Sequence, residues 1–126
     1  MKIALAQINP TVGDLEGNEA RILAAYERGR LAGADLVVCP ELSITGYPPR
    51  DLLLRRRFVE ENLEVLNRLA AKTGTTALLV GFVGENYDRP GRDATNSVAF
   101  LCDGKIVATR SKTLLPTYDE IGRAHV

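Results

Sequence analysis

Apolar positions along this chain switch between two periods, and the switches mark its elements. Lys2 to Asn9 alternates Ile3, Leu5 and Gln7 against Ala4, Ala6 and Ile8. Both sets are mostly apolar, which predicts an interior strand buried on two faces. Asn9-Pro10 and Gly13-Asp14 end it. Asn18 is an N-cap candidate, although Arg21 stands where a capping box would put an acid. Ile22, Ala25, Tyr26, Gly29 and Ala32 then recur at helical spacing, and Gly33 is a natural C′ stop. Leu36 to Cys39 predicts a second strand, closed by Pro40-Glu41. Gly46, Pro48 and Pro49 force a turn before a short Leu-rich helix. Val59, Leu63, Leu66 and Ala70 mark one face of a further helix, ended by Gly74.

Thr76 to Val83 predicts a third strand, and Gly84 to Arg92 a polar loop. Asn96 to Leu101 and Ile106 to Arg110 flank Cys102-Asp103-Gly104-Lys105. Asp-Gly between two apolar runs is a strong hairpin signal. The predicted order is β-α-β-α-β followed by a hairpin, the pattern of an α/β layer. The last heptapeptide, Glu120 to Val126, has no apolar period and matches the translation of a common sequencing adapter. The expectation is a native region over 1–119 and a non-native tail over 120–126 that contains the only histidine, His125.

Composition adds limits. The 126 residues suffice for one modest domain with a core. A formal net charge of zero gives no electrostatic argument for a nucleic-acid or membrane partner. The apolar start is too short and polar for a signal-peptide core, and no run is long enough to span a bilayer. Cys39 and Cys102 lie in apolar runs, so two buried free thiols in a reducing cytoplasm are expected.

Candidate chemistry centres on Glu41. It sits at the carboxyl end of a strand, where α/β sheets gather ligands and catalytic groups. Alone it reads equally as a surface acid. The stiff loop that follows favours a general base, and burial under that loop should raise its pKa. Lys112 reads by default as a solvated lysine after the hairpin. Its functional reading is a cation that steadies an oxyanion. Cys39 shares a strand face with Glu41, a pattern that suggests a nucleophile. Its place in the apolar run favours an inert core thiol instead, and Cys102 reads the same way. Arg50, Arg55, Arg56 and Arg57 form a basic cluster whose ordinary reading is a solvated face and whose alternative is a subunit contact.

Pro40-Glu41-Leu42 after an apolar strand, then Lys112-x-x-Leu115-Pro116, resembles the nitrilase superfamily of carbon–nitrogen hydrolases. Gly33 to Val38, with Thr45-Gly46-Tyr47-Pro48-Pro49-Arg50-Asp51-Leu52-Leu53-Leu54-Arg55, is similar to the amino-terminal glutaminase domains of the glutamine-dependent NAD+ synthetases. The resemblance implies an α/β fold, about the first half of an α-β-β-α sandwich. It implies a Glu-Lys-Cys triad with Glu41 as general base and Lys112 as oxyanion-side cation. It also implies that Tyr118 lines a pocket for L-glutamine.

In such enzymes a thiolate attacks the glutamine amide, ammonia leaves and water releases glutamate from a thioester. The ammonia then serves an ATP- and Mg2+-dependent synthetase domain that amidates deamido-NAD+, in a cytoplasmic homo-oligomer. The family's nucleophilic cysteine falls downstream of the lysine, in a segment absent here, and no Ser-Gly-Gly-x-Asp-Ser loop for ATP is present. An inactive fragment with uncovered apolar surface is therefore expected, with no cofactor or metal of its own. A free-standing nitrilase-like amidase and a non-catalytic binding module on the same fold are the alternatives.

Overall fold

The computed structural model describes residues 1–86 and 93–113. It contains β1 (Ile3–Leu5), α1 (Leu15–Leu31), β2 (Leu36–Val38), a 3-10 turn (Arg50–Leu54), α2 (Arg56–Ala71), β3 (Ala77–Asn86), β4 (Asp93–Cys102) and β5 (Lys105–Thr113). The strands form one sheet in sequence order. β1, β2 and β3 are parallel, while β3–β4 and β4–β5 are antiparallel. This is the predicted α/β layer ending in a hairpin. Asp103 and Gly104 turn that hairpin with φ of 53° and 77°, as its Asp-Gly pair requires.

Both helices pack on one sheet face. Ile22 and Tyr26 of α1 and Val65, Leu66, Leu69 and Ala70 of α2 meet Val37, Leu78, Val80, Ala99 and Leu101 in a single core. The buried face of α2 is wider than the four positions predicted: it adds Asn62, Val65 and Leu69, while Leu63 is only half-buried. Tyr26 ties the layer together, because its hydroxyl donates to the Thr76 carbonyl (2.8 Å) and accepts from Gly74 N–H (3.0 Å). Gly33 ends α1 as predicted. Its N–H reaches Arg30 O while Ala34 N–H reaches Gly29 O, so the last carbonyls are paired through a residue at φ +84°.

Several expectations are corrected. β1 is an edge strand, three residues long, with Ile3 52% and Leu5 72% exposed. Its two-sided apolar pattern reflects a sheet face that no described residue covers. Asp14, not Asn18, caps α1 by accepting from Gly17 N–H. Asn18 lies one turn inside and is fully buried, for a reason given below. β3 runs through Gly84 and Glu85 to Asn86, where a loop was expected, because it pairs with β4 as far as Asp93. Cys39 and Cys102 are free but half-buried rather than buried. Tyr118, His125 and the tail lie outside the described residues.

Candidate active site

The loop after β2 is built by its contacts with β3. Cys39 N–H donates to Leu79 O (2.9 Å), carrying the chain one step past the strand. Ile44 N–H then donates to Gly81 O (3.2 Å), and Ser43 Oγ accepts from Gly81 N–H (3.3 Å). Between these anchors the backbone lies so close to β3 that a Cβ on Gly81 would stand 2.3 Å from Leu42 N. Only glycine permits that approach.

Leu42 is itself left-handed, at φ 48°, with a fully buried side chain against Val59 and Val83. The left-handed conformation costs about 1–2 kcal/mol for an L-residue, and burying a leucine returns about 1.5–3 kcal/mol. The anchor therefore outweighs the strain and fixes the direction in which its neighbour Glu41 leaves the backbone.

Asn18 explains its own burial here. Its side-chain nitrogen donates to Ile44 O (2.9 Å) and Thr11 O (2.8 Å), and its oxygen accepts from Thr11 N–H (2.8 Å). Gly13 N–H adds a bond to Thr45 O (2.9 Å). The loop carrying Glu41 is thus stapled from two sides.

Glu41 is exposed, so the expected burial under the Pro-rich loop is not found. The loop packs behind the carboxylate and leaves it facing an open hollow. That hollow, about 330 Å³, is lined by Glu41, Asn96, Ser97, Val98, Arg110, Ser111 and Lys112. Asn96 Nδ2 donates to Glu41 Oε1. Lys112 is the direct cross-strand partner of Asn96, inside β5 rather than past the hairpin strand where it was expected.

Glu41 of the β2 loop and Lys112 of β5 therefore line one cavity. They do so on the sheet face away from the helices, since Asn96 is an odd number of residues from Ala99 and Leu101, which face the helix-side core. Ser97 turns the other way and is buried, its hydroxyl within 2.8 Å of those of Thr95 and Ser111.

Cys39 does not join this group. It packs against the helix-side core, and burial pushes its thiol up to about 12. Arg56 and Arg57 face Glu60 and Glu61 one turn along α2, an exposed pairing that fits the ordinary reading of the basic cluster. No group of three or more His, Cys, Asp or Glu side chains among the described residues could hold a metal ion. Nor is any helix among them long and apolar enough to cross a membrane. Asn96 and Arg110 were missed from the sequence. Their signal was the two-residue period that puts Asn96 and Val98 on one face.

The family model for carbon-nitrogen hydrolases matches residues 2–125. The chain belongs to the carbon-nitrogen hydrolase family. The chain is 40% identical over 121 residues to a glutamine-dependent NAD(+) synthetase of Thermotoga maritima, covering 94% of itself and 20% of that protein. It is 44% identical over 121 residues to one of Synechocystis sp., covering 93% of itself and 22% of the relative.

Among solved structures, the glutamine-dependent NAD+ synthetase of Acinetobacter baumannii in complex with ADP superposes with a TM-score of 0.80. The identity is 31%, over 92% of this chain and 21% of that one. An amidase from Nesterenkonia sp. gives 0.69 at 29% identity, over 91% of this chain and 43% of that one. The chain thus spans about a fifth of the length of the synthetases it matches. The resemblance drawn from the Pro-Glu-Leu and Tyr-Pro-Pro motifs agrees with these relatives. The fold is nitrilase-like in part, with one helix layer and one sheet of the four-layer sandwich among the described residues.

Proposed function

We propose that this chain forms the first part of a glutaminase domain within a longer, cytoplasmic glutamine-dependent NAD+ synthetase. Glu41 is its general base and Lys112 its oxyanion-side cation. The observation that supports this reading is the shared hollow on the open sheet face, which Glu41 and Lys112 both line. A cysteine thiol from a later segment completes the site. The Nesterenkonia amidase has an active site cysteine, which supports a thiol mechanism for this relative.

Glu41 takes the proton of that thiol, and the thiolate attacks the glutamine side-chain carbonyl carbon. Lys112 balances the negative charge that develops on the carbonyl oxygen. The C–N bond breaks as the proton passes from Glu41 to the departing ammonia, leaving a glutamyl thioester. Glu41 then deprotonates water, which displaces the thiol and releases glutamate. Cys39 is a poor substitute nucleophile, because its thiol is directed into the core and holds its proton tightly. Tyr118 is assigned to the glutamine pocket on the strength of the motif alone.

The ammonia would be consumed by a synthetase domain that uses ATP and Mg2+ to amidate deamido-NAD+; no residue of this chain is assigned to that step. The names and lengths of the synthetase relatives support the longer polypeptide. A free-standing amidase is the second reading, supported by the Nesterenkonia enzyme, and the higher TM-score of the synthetase disfavours it.

The test is glutamine hydrolysis by the full-length gene product. Glu41→Gln and Lys112→Ala should each lower kcat at least about 100-fold. Full hydrolysis by Glu41→Gln would end the reading. A full-length protein that hydrolyses amides but makes no NAD+ from deamido-NAD+, ATP and free ammonia would favour the amidase.

A further inference from the structure

Asn96 is held more firmly than either group it stands beside. Its backbone pairs with Val83 on β3 and Lys112 on β5, so it sits on a strand with neighbours on both sides. Glu41, by contrast, is an exposed side chain with several rotatable bonds on a loop. The Asn96 amide donates to Glu41 Oε1, and among the described residues it is the one hydrogen-bond partner of that carboxylate.

We propose that Asn96 is a positioning residue for the hydrolysis reaction: its amide fixes Glu41 at the Lys112 end of the hollow and leaves the second carboxylate oxygen free for proton transfer. This rests on the reading of Glu41 as general base.

The residue type fits the task. An amide donor orients a carboxylate without adding a charge. A lysine or arginine at this position would form an ion pair with Glu41 and weaken it as a base. An aspartate would fill the same space but repel it. The register also matters, since the residue opposite Lys112 is the one that can reach toward Glu41 while the lysine stays alongside. Without the amide, the carboxylate would sample rotamers pointing into solvent. The loss should fall on the chemical step rather than on substrate binding, because misplaced reacting groups lower kcat.

The test uses the full-length enzyme with steady-state glutamine hydrolysis as readout. Asn96→Ala and Asn96→Asp should each lower kcat about 10- to 100-fold while KM stays within about threefold. The aspartate variant preserves side-chain shape, so its loss separates the donor from simple packing. In a Glu41→Asp background, where the carboxylate is already withdrawn, Asn96→Ala should cost less than about threefold more, since neighbours acting as one unit are not additive.

Wild-type kcat in either single variant would overturn the proposal. So would losses that multiply in full in the Glu41→Asp background, because a purely structural role would give that result. Glu41→Gln separates the two levels: wild-type turnover in that variant removes the general-base reading itself. An inactive Glu41→Gln beside a fully active Asn96→Ala removes only the positioning role.

Discussion

Asn96 and Lys112 face one another across β4 and β5 because Val107 is left unpaired. The Asp-Gly turn sets Cys102 against Lys105 and Leu101 against Ile106, but Phe100 pairs with Ala108. Counted straight from the turn, Ser111 would stand opposite Asn96, and Lys112 would point to the helix side of the sheet. A one-residue shift exchanges every side chain between faces. Deleting Val107 should therefore remove the irregularity while Phe100 still meets Ala108 and Asn96 still meets Lys112, so glutamine hydrolysis by the full-length enzyme should stay within about threefold of wild type. A loss of at least about 100-fold in the deletion variant would show that the extra residue itself, and not the pairing alone, sets the lysine.

Gly81 offers a second control point, remote from the charged groups. A methyl there would press on Leu42 N at 2.3 Å, with Glu41 C and Pro40 O at 3.0 Å, all of them backbone atoms. The loop must lift, and Glu41 lifts with it. Gly81→Ala should destabilise by about 1–3 kcal/mol, the usual range for overpacking. It should also lower kcat about 10-fold or more through misplacement. Thermal unfolding and steady-state kinetics on the same preparation check both; a loss of stability with unchanged kcat would detach loop height from catalysis.

The elements were legible where local chemistry decides them. Gly33 and Asp103-Gly104 need left-handed backbone, and both landed where the sequence put them. The convergence of Glu41 and Lys112 was legible only through motif resemblance, because it depends on an unpaired Val107 that no local signal marks. Asn18 looked like a cap because buried and capping asparagines use the same atoms. Its partners Thr11 and Ile44 come together only through the tertiary fold. The first strand looked interior because both of its faces carry apolar residues, although Ile3 and Leu5 lie exposed on an edge strand.

That uncovered face makes a prediction about residues 1–126 alone. Ile3, Leu5 and Val107 are 52%, 72% and 60% exposed. An exposed apolar face of this kind invites self-association and aggregation. The isolated chain should self-associate at micromolar concentration in sedimentation experiments and bind a hydrophobic dye. A monomer with a sharp, cooperative melt would contradict this.

Asn62 and Arg68 lie on the same helix and should differ sharply in stability. Asn62 is fully buried and bonds Val83 on both sides, donating to its carbonyl (2.6 Å) and accepting from its N–H (3.0 Å). Asn62→Leu leaves two buried backbone groups of β3 unpaired, at about 1–3 kcal/mol each. Arg68 makes a bidentate pair with Glu19 on α1, but its side chain is 52% exposed. Arg68→Ala should cost under about 1 kcal/mol. Denaturant unfolding of the full-length protein ranks the two, and an equal or larger loss for Arg68 would reverse the assignment of the α2 anchor.

Cys39 gives the pH-dependent test. Burial pushes its thiol up to about 12, against about 8.5 for a free cysteine. A group whose folded pKa is raised adds no penalty below its unfolded value. Stability is lost as pH climbs from about 9 toward 12, because only the unfolded chain ionises freely there. The same proton affinity suppresses thiolate at neutral pH. Alkylation of Cys39 at pH 8 should accordingly be about 1,000-fold slower in the folded protein than in guanidinium, followed by mass spectrometry of its peptide. Cys39→Ser should leave glutamine hydrolysis by the full-length enzyme within about threefold of wild type, the behaviour of a thiol that packs the core. Rapid alkylation of the folded protein that also abolished turnover would make Cys39 the nucleophile and Glu41 its immediate base.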